Sequence, residues 1–327
     1  MKNKKKTYTA LLMGVFILFS LFFGYHRICK KKEPIQEVST TIPKNIRKVK
    51  QEYIPPAIPE ILIDDKLKME YLTLHYWDDF PMTDTTCISN KEFAEQALAD
   101  YLYLLQQVPS ATGNKGLDNL LNRAINGNRL VFNHFTEMLE HYLYDPNSPM
   151  RNEERYRHIL HHITTSTRLN DTDKARWMYQ LALMAKNNPG SIAQDFCFIL
   201  RNGSKERLHS FKAGYTLLIF FNPDCESCQQ TISDMEHSEW LARALNDKKL
   251  EVLAIYADAE KEIWEKYKDE LPGNWKVGYN HSQSVITKGL YDLKAMPTLY
   301  LLDKNKKVVL KDKSWEEIER YIGTYLT

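Results

Sequence analysis

The chain has 327 residues, more than one domain usually holds, so we expect two folded units joined by connecting segments. A hydrophobic fraction of 43% and a charged fraction of 26% are typical of globular proteins that bury a core. Lys and Arg number 44 against 42 Asp and Glu, and the formal net charge is only +2. No basic face large enough for nucleic acid stands out, so we exclude this class of partner.

The N-terminal sequence has the pattern of a signal or membrane-anchor segment. Four lysines within residues 2–6 precede an uncharged, mostly apolar run over residues 7–25. This run is close to the roughly 17–25 residues that span a bilayer. No small-residue cleavage site follows, and bulky residues before Cys29 disfavour a lipoprotein signal. We predict a signal or membrane anchor over residues 1–29. An uncleaved anchor is favoured over a cleaved signal or a lipidated Cys29. Lysines and arginines flank the apolar run on both sides, so these residues alone leave open whether the folded part is exported or cytosolic.

The next two segments differ in composition. Residues 30–60 are polar and carry five prolines, which predicts an extended tether. Residues 61–189 show helical periodicity and predict an all-α domain of unknown function. Its first clear helix is predicted to begin at a capping box made by Ser89 and Glu92. Further helices are expected over residues 117–125, 130–144, 153–165 and 172–185, the last with a cap at Asn170 or Asp171. We interpret the aromatic residues of this segment as core rather than as a ligand groove.

After Pro189 and Gly190 the pattern changes to alternating strands and helices, which predicts an α/β domain with a mixed sheet over residues 190–327. We expect one hairpin between residues 196–200 and 206–208, and a second between residues 298–302 and 307–310. Two buried strands are expected over residues 215–221 and 250–257. Helices are expected from the end of the first buried strand to about 245, over 259–270, and over 315–325.

Two cysteines separated by two residues, the CxxC spacing of redox-active pairs, follow the first buried strand. Residues 225–228 (CESC) open the next helix, whose free amide N–H groups and positive dipole stabilise a thiolate. The thiolate is the attacking species in disulfide exchange. We therefore predict Cys225 as the nucleophile and Cys228, one turn further in, as the resolving thiol. A structural zinc site needs about four ligands, and no second pair accompanies this one, so no metal is expected.

A proline further along completes a known pattern. Residues 295–298 (AMPT) lead into a strand, and a CxxC at a strand-to-helix junction followed by such a proline resembles the thioredoxin superfamily. The flanking residues 221–224 (FNPD) and 300–303 (YLLD), the hairpin and the anchor are similar to TlpA/ResA-like envelope thiol-disulfide oxidoreductases. The helical segment is similar to an uncharacterised domain that precedes thioredoxin-like domains. The resemblance implies a cis Met296–Pro297 bond, with Pro297 shaping the substrate site. Met296, Asp224 and Glu226 would contact the substrate.

The motif departs from that of thioredoxin. Asp224 replaces the Trp before the first cysteine, and Glu226 and Ser227 replace Gly-Pro between the two. Because like charges repel, we expect the two carboxylates to disfavour the thiolate, which favours a reductant or modest isomerase over a strong oxidant. Thioredoxin has a buried acid that helps to deprotonate the second cysteine, and Ile219 stands at that position here. Glu226 or water would therefore have to serve as the base for Cys228. Pro223 has the wrong spacing for a peroxiredoxin.

Two further sets of residues carry weaker hypotheses. Cys87 and Cys197 would form a disulfide between the two domains in an oxidising compartment, although a buried free thiol is the simpler interpretation of Cys197. His158 and His162 stand four residues apart, as metal ligands do, but lack evident partners. An exposed helix face is therefore the better interpretation.

Together these patterns predict a thiol-disulfide oxidoreductase on the periplasmic side of the cell inner membrane. It needs no organic cofactor, because the cysteine pair carries the electrons. Its expected partners are a protein disulfide substrate, a membrane electron donor or thiol reductant, and the membrane through the N-terminal anchor. The alternative is an envelope binding protein whose helical domain binds a partner and whose α/β domain is mainly a scaffold.

Overall fold

The computed structural model describes residues 52–258 and 260–327. Seven helices precede the first strand in this part of the chain. They are α1 (Asp65–His75), α2 (Thr86–Ser89), α3 (Lys91–Leu105), α4 (Ser110–Asn126), α5 (Arg129–Leu143), α6 (Glu153–Thr165) and α7 (Asp171–Met184). The predicted helical region is confirmed. The boundaries of its domain, 61–189, stay a prediction.

An aromatic cluster forms the centre of the helical region. Trp77 is 1% exposed, and the rings of Phe80, Tyr101 and Phe135 meet it edge-on at centroid distances of 5.2–5.3 Å. Edge-to-face contacts of this kind add to the free energy gained from burying the rings. The interpretation of these aromatic residues as core is therefore confirmed, except for Tyr103, which is 62% exposed, and Tyr71, which is half-buried outside the core cluster.

The segment predicted as a tether contributes to this cluster. Residues 52–60 contain no helix or strand before a turn at residue 60, as expected. Tyr53, however, stacks on Trp77, and its hydroxyl donates a 2.5 Å hydrogen bond to the carbonyl of Tyr76. The bounds of the tether stay a prediction, and its last residues are packed against the helical core from Tyr53 onward. The predicted anchor over residues 1–29 lies outside the described residues, among which no helix is long and apolar enough to cross a bilayer.

Asparagine side chains cap three of the helices, and the predicted cap at Asn170 is confirmed. The side chains of Asn128, Asn152 and Asn170 accept hydrogen bonds from the first turns of α5, α6 and α7. The capping box at Ser89 and Glu92 is wrong. Ser89 ends the short helix α2, and its hydroxyl bonds back to the carbonyl of Thr85 instead.

Seven strands form one sheet within the described residues, in the order β2-β1-β5-β4-β3-β6-β7. They are β1 (Cys197–Leu200), β2 (Lys205–Arg207), β3 (Tyr215–Phe221), β4 (Leu250–Tyr256), β5 (Lys276–Tyr279), β6 (Thr298–Asp303) and β7 (Val308–Lys311). Strand β4 is parallel to β3 and β5, whereas every other pairing is antiparallel. The predicted α/β fold with a mixed sheet is confirmed.

Strand β3 lies in the interior of this sheet and is buried on both faces. Leu217, Ile219 and Phe221 share one face with Cys228, while Leu218 and Phe220 pack on the other. A continuous apolar run is what a strand covered on both faces requires. The C-terminal end of β3 is therefore held rigidly where the cysteine motif begins.

Five helices follow the first strands in the described chain. They are α8 (Glu226–Glu236), α9 (Glu239–Asn246), α10 (Lys261–Tyr267), α11 (Ser284–Thr287) and α12 (Trp315–Tyr325). The single helix predicted to run to about 245 is wrong. The chain breaks between α8 and α9, and the Ser238 side chain caps α9 through a hydrogen bond from Leu241 N–H at 3.1 Å. Strand β5 was not predicted, because its four residues include Gly278 and form no apolar run.

Candidate active site

The cysteine motif lies at the junction of β3 and α8. The side-chain oxygen of Asn222 accepts from Asp224 N–H at 3.0 Å, and its carbonyl accepts from Cys225 N–H at 3.1 Å. This turn stops the strand and places Cys225 at the N-cap of α8, half-buried, while Cys228 is fully buried one turn further on. Both cysteines are free thiols.

Ser227 connects the first cysteine to the loop that carries the predicted proline. Its hydroxyl oxygen lies 3.0 Å from Cys225 Sγ and donates to the carbonyl of Met296 at 2.9 Å. Cys225 Sγ is itself 3.4 Å from that carbonyl. The motif and the loop are therefore in direct contact although 69 residues of sequence separate Ser227 from Met296.

The Met296–Pro297 peptide bond is cis, as the resemblance implies. Strand β6 begins at the next residue, Thr298, which pairs with Phe220 of β3 in antiparallel register. This pairing holds the loop beside the C-terminal end of β3 and hence beside Cys225. The Thr298 hydroxyl also donates to the carbonyl of Ala295 at 2.6 Å, which fixes the loop on both sides of Pro297.

The two thiols have opposite acidities. Burial raises the pKa of Cys225, but hydrogen bonds from the Ser227 hydroxyl, the Cys228 thiol and two backbone N–H groups outweigh this effect, so the pKa lies below its ordinary value. Burial raises the pKa of Cys228 to about 12, partly opposed by a hydrogen bond from the backbone of Asn222. Cys225 is therefore the more readily ionised of the two thiols.

The two carboxylates next to Cys225 lie at the surface of the molecule. Asp224 and Glu226 are both exposed, and Asp224 accepts a hydrogen bond from the Tyr267 hydroxyl at 3.1 Å. Solvent screens exposed charges, whereas the hydrogen bonds to the sulfur act at contact distance. The expectation that these carboxylates disfavour the thiolate relative to a neutral motif stays a prediction. Whether Asp224, Glu226 and Met296 contact a substrate stays a prediction.

Apolar side chains pack around Cys228 in its core cluster. Ile219 is fully buried in the same cluster as this cysteine, as expected from the sequence. A cavity of about 200 Å³ adjoins Cys228 on its other side and is lined by Glu236 and Glu270 as well as by apolar residues. Glu226, one of the two bases considered from the sequence, does not line it.

Comparisons with known proteins agree with this geometry. Residues 214–308 match a thioredoxin-like family, and residues 27–187 match a domain of unknown function, DUF5106. One solved structure is the crystal structure of a thioredoxin-like protein from Bacteroides caccae, whose sequence is 39% identical to this chain. The alignment covers 84% of this chain and 98% of that one, with a TM-score of 0.71. The chain belongs to the thioredoxin-like proteins.

Curated relatives of this thioredoxin-like chain are thiol-disulfide oxidoreductases. The protein named thiol-disulfide oxidoreductase ResA from Geobacillus kaustophilus is 24% identical over 136 residues, which are 41% of this chain and 75% of the relative. The protein of the same name from Bacillus anthracis is 25% identical over 41% of this chain and 76% of its own length. The sequence-based assignment to this enzyme family is confirmed.

The weaker hypotheses from the sequence have different outcomes in this thioredoxin-like protein. The Cys87–Cys197 disulfide is wrong: both are free thiols, Cys87 in the helical core and Cys197 on β1 within 3.4 Å of Arg207 Nη1. The exposed-face interpretation of His158 and His162 is also wrong, because both rings lie 2.8 Å from Asp118 Oδ1. No group of potential metal ligands occurs among the described residues.

Sequence reasoning missed two residues of the site. Ser227 stood inside the motif, but only the fold places the Met296 carbonyl within its reach. Tyr267 at the end of α10 contacts Asp224 from 43 residues away, and no local signal pointed to it.

Proposed function

We propose that this protein exchanges electrons with protein disulfides through Cys225 and Cys228, and that it acts as a reductant or isomerase. The observation that carries the proposal is the contrast between the two thiols. The half-buried Cys225 has a lowered pKa, while the buried Cys228 has a raised one. A nucleophile must be ionised to attack, and a resolving thiol must stay protonated until the mixed disulfide has formed.

The exchange proceeds in two balanced steps. The Cys225 thiolate attacks one sulfur of the substrate disulfide, a mixed disulfide forms, and the other substrate sulfur leaves as a thiolate that takes up a proton. Cys228 then loses its proton and attacks Cys225 Sγ. This attack closes the Cys225–Cys228 disulfide and releases the second substrate thiol. Two electrons pass to the substrate, and an external dithiol or a membrane electron donor restores the pair.

The proton of Cys228 needs a route out of the core. The small cavity beside Cys228 supports such a route, because it offers space for water and has Glu236 and Glu270 among its lining residues. Placement in the cell envelope, with the periplasmic face of the inner membrane as the site of action, is supported by the resemblance to envelope thiol-disulfide oxidoreductases together with the N-terminal sequence pattern at residues 1–29. No organic cofactor or metal enters either step.

Trapping of the intermediate tests this proposal. Cys228→Ser removes the resolving thiol, so the full chain should accumulate mixed disulfides with cell-extract proteins, seen as mass-shifted species that dithiothreitol releases. Cys225→Ser, which leaves the other motif cysteine in place, should trap none. Equal trapping by both variants, or none by either, would contradict the assignment of Cys225 as the nucleophile.

A further inference from the structure

A groove of about 830 Å³ lies between the helical region and the loop that precedes Pro297. Helices α5 and α7 and the turn at residues 145–147 form one side, and residues 292, 294 and 295 form the other. The helical region therefore contributes most of its lining. Neither the cysteine motif nor any step described above uses this groove.

The groove ends beside the predicted active site. Ala295 lines it, and the carbonyl of the next residue, Met296, lies 3.4 Å from Cys225 Sγ. An extended polypeptide advances about 3.3 Å per residue. A substrate whose sulfur reaches Cys225 can therefore place residues a few positions from its cysteine inside the groove.

The charges around the groove are predominantly negative. Glu137 is exposed and makes no ion pair among the described residues. Asp145 lies 3.6 Å from the His141 ring, and its carboxylate also accepts a hydrogen bond from Asn147 N–H at 2.8 Å. Glu140 is paired with Arg176. Carboxylates outnumber permanent cations among the lining residues, which are Glu137, Glu140, Asp145 and Asp292 against Arg176 and Lys294.

The cation on the thioredoxin side of the groove is already neutralised. The ammonium group of Lys294 lies 2.5 Å from Glu153 and 3.1 Å from Asp312, and its side chain is only 6% exposed. Asp292 accepts a 2.5 Å hydrogen bond from the Tyr144 hydroxyl. The negative charge that remains available to a ligand in the groove is therefore mainly that of Glu137, and Asp145 adds to it.

Apolar surface accompanies these carboxylates. Tyr179 is 59% exposed, and Leu183, Pro146 and Ala295 also line the groove. A lysine or arginine suits such a surface, because its aliphatic stem packs on apolar groups while its charged end reaches a carboxylate.

On the basis of the proposed function, we infer that this groove binds the segment of a disulfide-containing polypeptide next to its cysteine, and that it selects segments carrying Lys or Arg. The helical region thereby forms part of the substrate site and sets specificity by charge. Complementary charge of this kind acts mainly on the rate of association and weakens as salt screens it.

Single-turnover kinetics test this inference. The pre-reduced full chain is mixed with two disulfide peptides that differ only in Lys or Glu near the cysteine, and with neutral hydroxyethyl disulfide as a reference. At low salt we expect the Lys peptide to react about two- to fivefold faster than the Glu peptide, with a smaller ratio at high salt. Glu137→Lys should abolish or reverse this preference. Glu319→Lys on α12, a mid-helix glutamate that also lacks an ion pair among the described residues and lies outside the groove, should keep it.

Two negative results have different meanings. Equal rates for the two peptides, from a chain that still reduces hydroxyethyl disulfide, would overturn the groove assignment alone. A chain that reduces none of the three disulfides would overturn the proposed function and the groove with it. A charge preference that Glu319→Lys alters as much as Glu137→Lys would place the effect in the net charge of the molecule and overturn the groove assignment.

Discussion

At the residue scale, the hydroxyl group of Ser227 has one proton and two nearby acceptors. With Cys225 protonated, Ser227 donates to the Met296 carbonyl at 2.9 Å and its oxygen can accept from the thiol at 3.0 Å. Once Cys225 ionises, the same proton can turn to the sulfur, and a hydrogen bond to a charged acceptor is the stronger of the two. Ser227 thus stabilises the attacking form of the nucleophile.

Removal of this hydroxyl should make Cys225 less acidic. Ser227→Ala deletes a donor that favours the thiolate, so the pKa of Cys225 rises and the pH profile of its alkylation moves to higher pH. The alkylation rate at neutral pH should fall by about threefold or more. The measurement is the rate of iodoacetamide labelling of Cys225, resolved by mass, across the pH range.

Ser227→Thr is the matched control, because it keeps the hydroxyl and should keep the profile close to that of the native chain. An unchanged profile in Ser227→Ala would show that the backbone N–H groups of α8 and the Cys228 thiol suffice to hold the thiolate.

The motif itself was predictable at this scale, because CxxC spacing and its place after an apolar strand are local features. The net acidity of Cys225 was not. The sequence displays the charges of Asp224 and Glu226 but not their exposure, and it gives no measure of the four hydrogen bonds that act on the sulfur.

At the scale of elements, a cluster of charged side chains joins the helical region to the loop before Pro297. Lys294 from this loop and Arg151, which lies just before α6, both contact Glu153 and Asp312, at 2.5–3.1 Å. Asp312 follows β7. The cluster therefore links the loop before Pro297, the N-terminal end of α6 and the C-terminal end of β7 next to the predicted substrate site.

Removal of one charged side chain from this cluster should lower the stability of the protein, because it leaves a buried charge without its partner. We expect Lys294→Met to lower the free energy of unfolding by about 3 kcal/mol, measured by urea denaturation of the full chain. Lys313→Met is the control: this lysine pairs with Glu317 at 2.9 Å, but its side chain is 45% exposed, and the loss should stay below about 1 kcal/mol. Equal losses would contradict the importance of the buried cluster.

Elements with strong local signals were predicted well, and those that depend on distant partners were not. Strand β3 and helix α12 match their predicted bounds because each has a continuous apolar run or a clear helical period. Strand β5 is held by its pairing with β4 and β1 rather than by its own composition. The charged cluster joins residues 141 and 161 positions apart, which no spacing rule detects.

At the scale of the whole molecule, residues 51–327 form one compact unit in which the helical region and the sheet share the charged cluster and the groove. The similarity to the Bacteroides caccae protein extends over 84% of the chain and so includes both regions. A helical region that contributes to the substrate groove gives a physical reason for their combination in one chain.

The central claim is that Cys225 and Cys228 form a reversible redox pair, and an equilibrium redox titration of the full chain tests it most directly. Alkylation followed by mass analysis would report the state of each cysteine at each potential. We expect one two-electron transition confined to Cys225 and Cys228, with a midpoint below about −180 mV, as in reductants and isomerases. A midpoint near −120 mV would instead be that of a strong oxidant and contradict the proposed direction of exchange. If these two cysteines never form a disulfide with each other, the account of the active site is wrong.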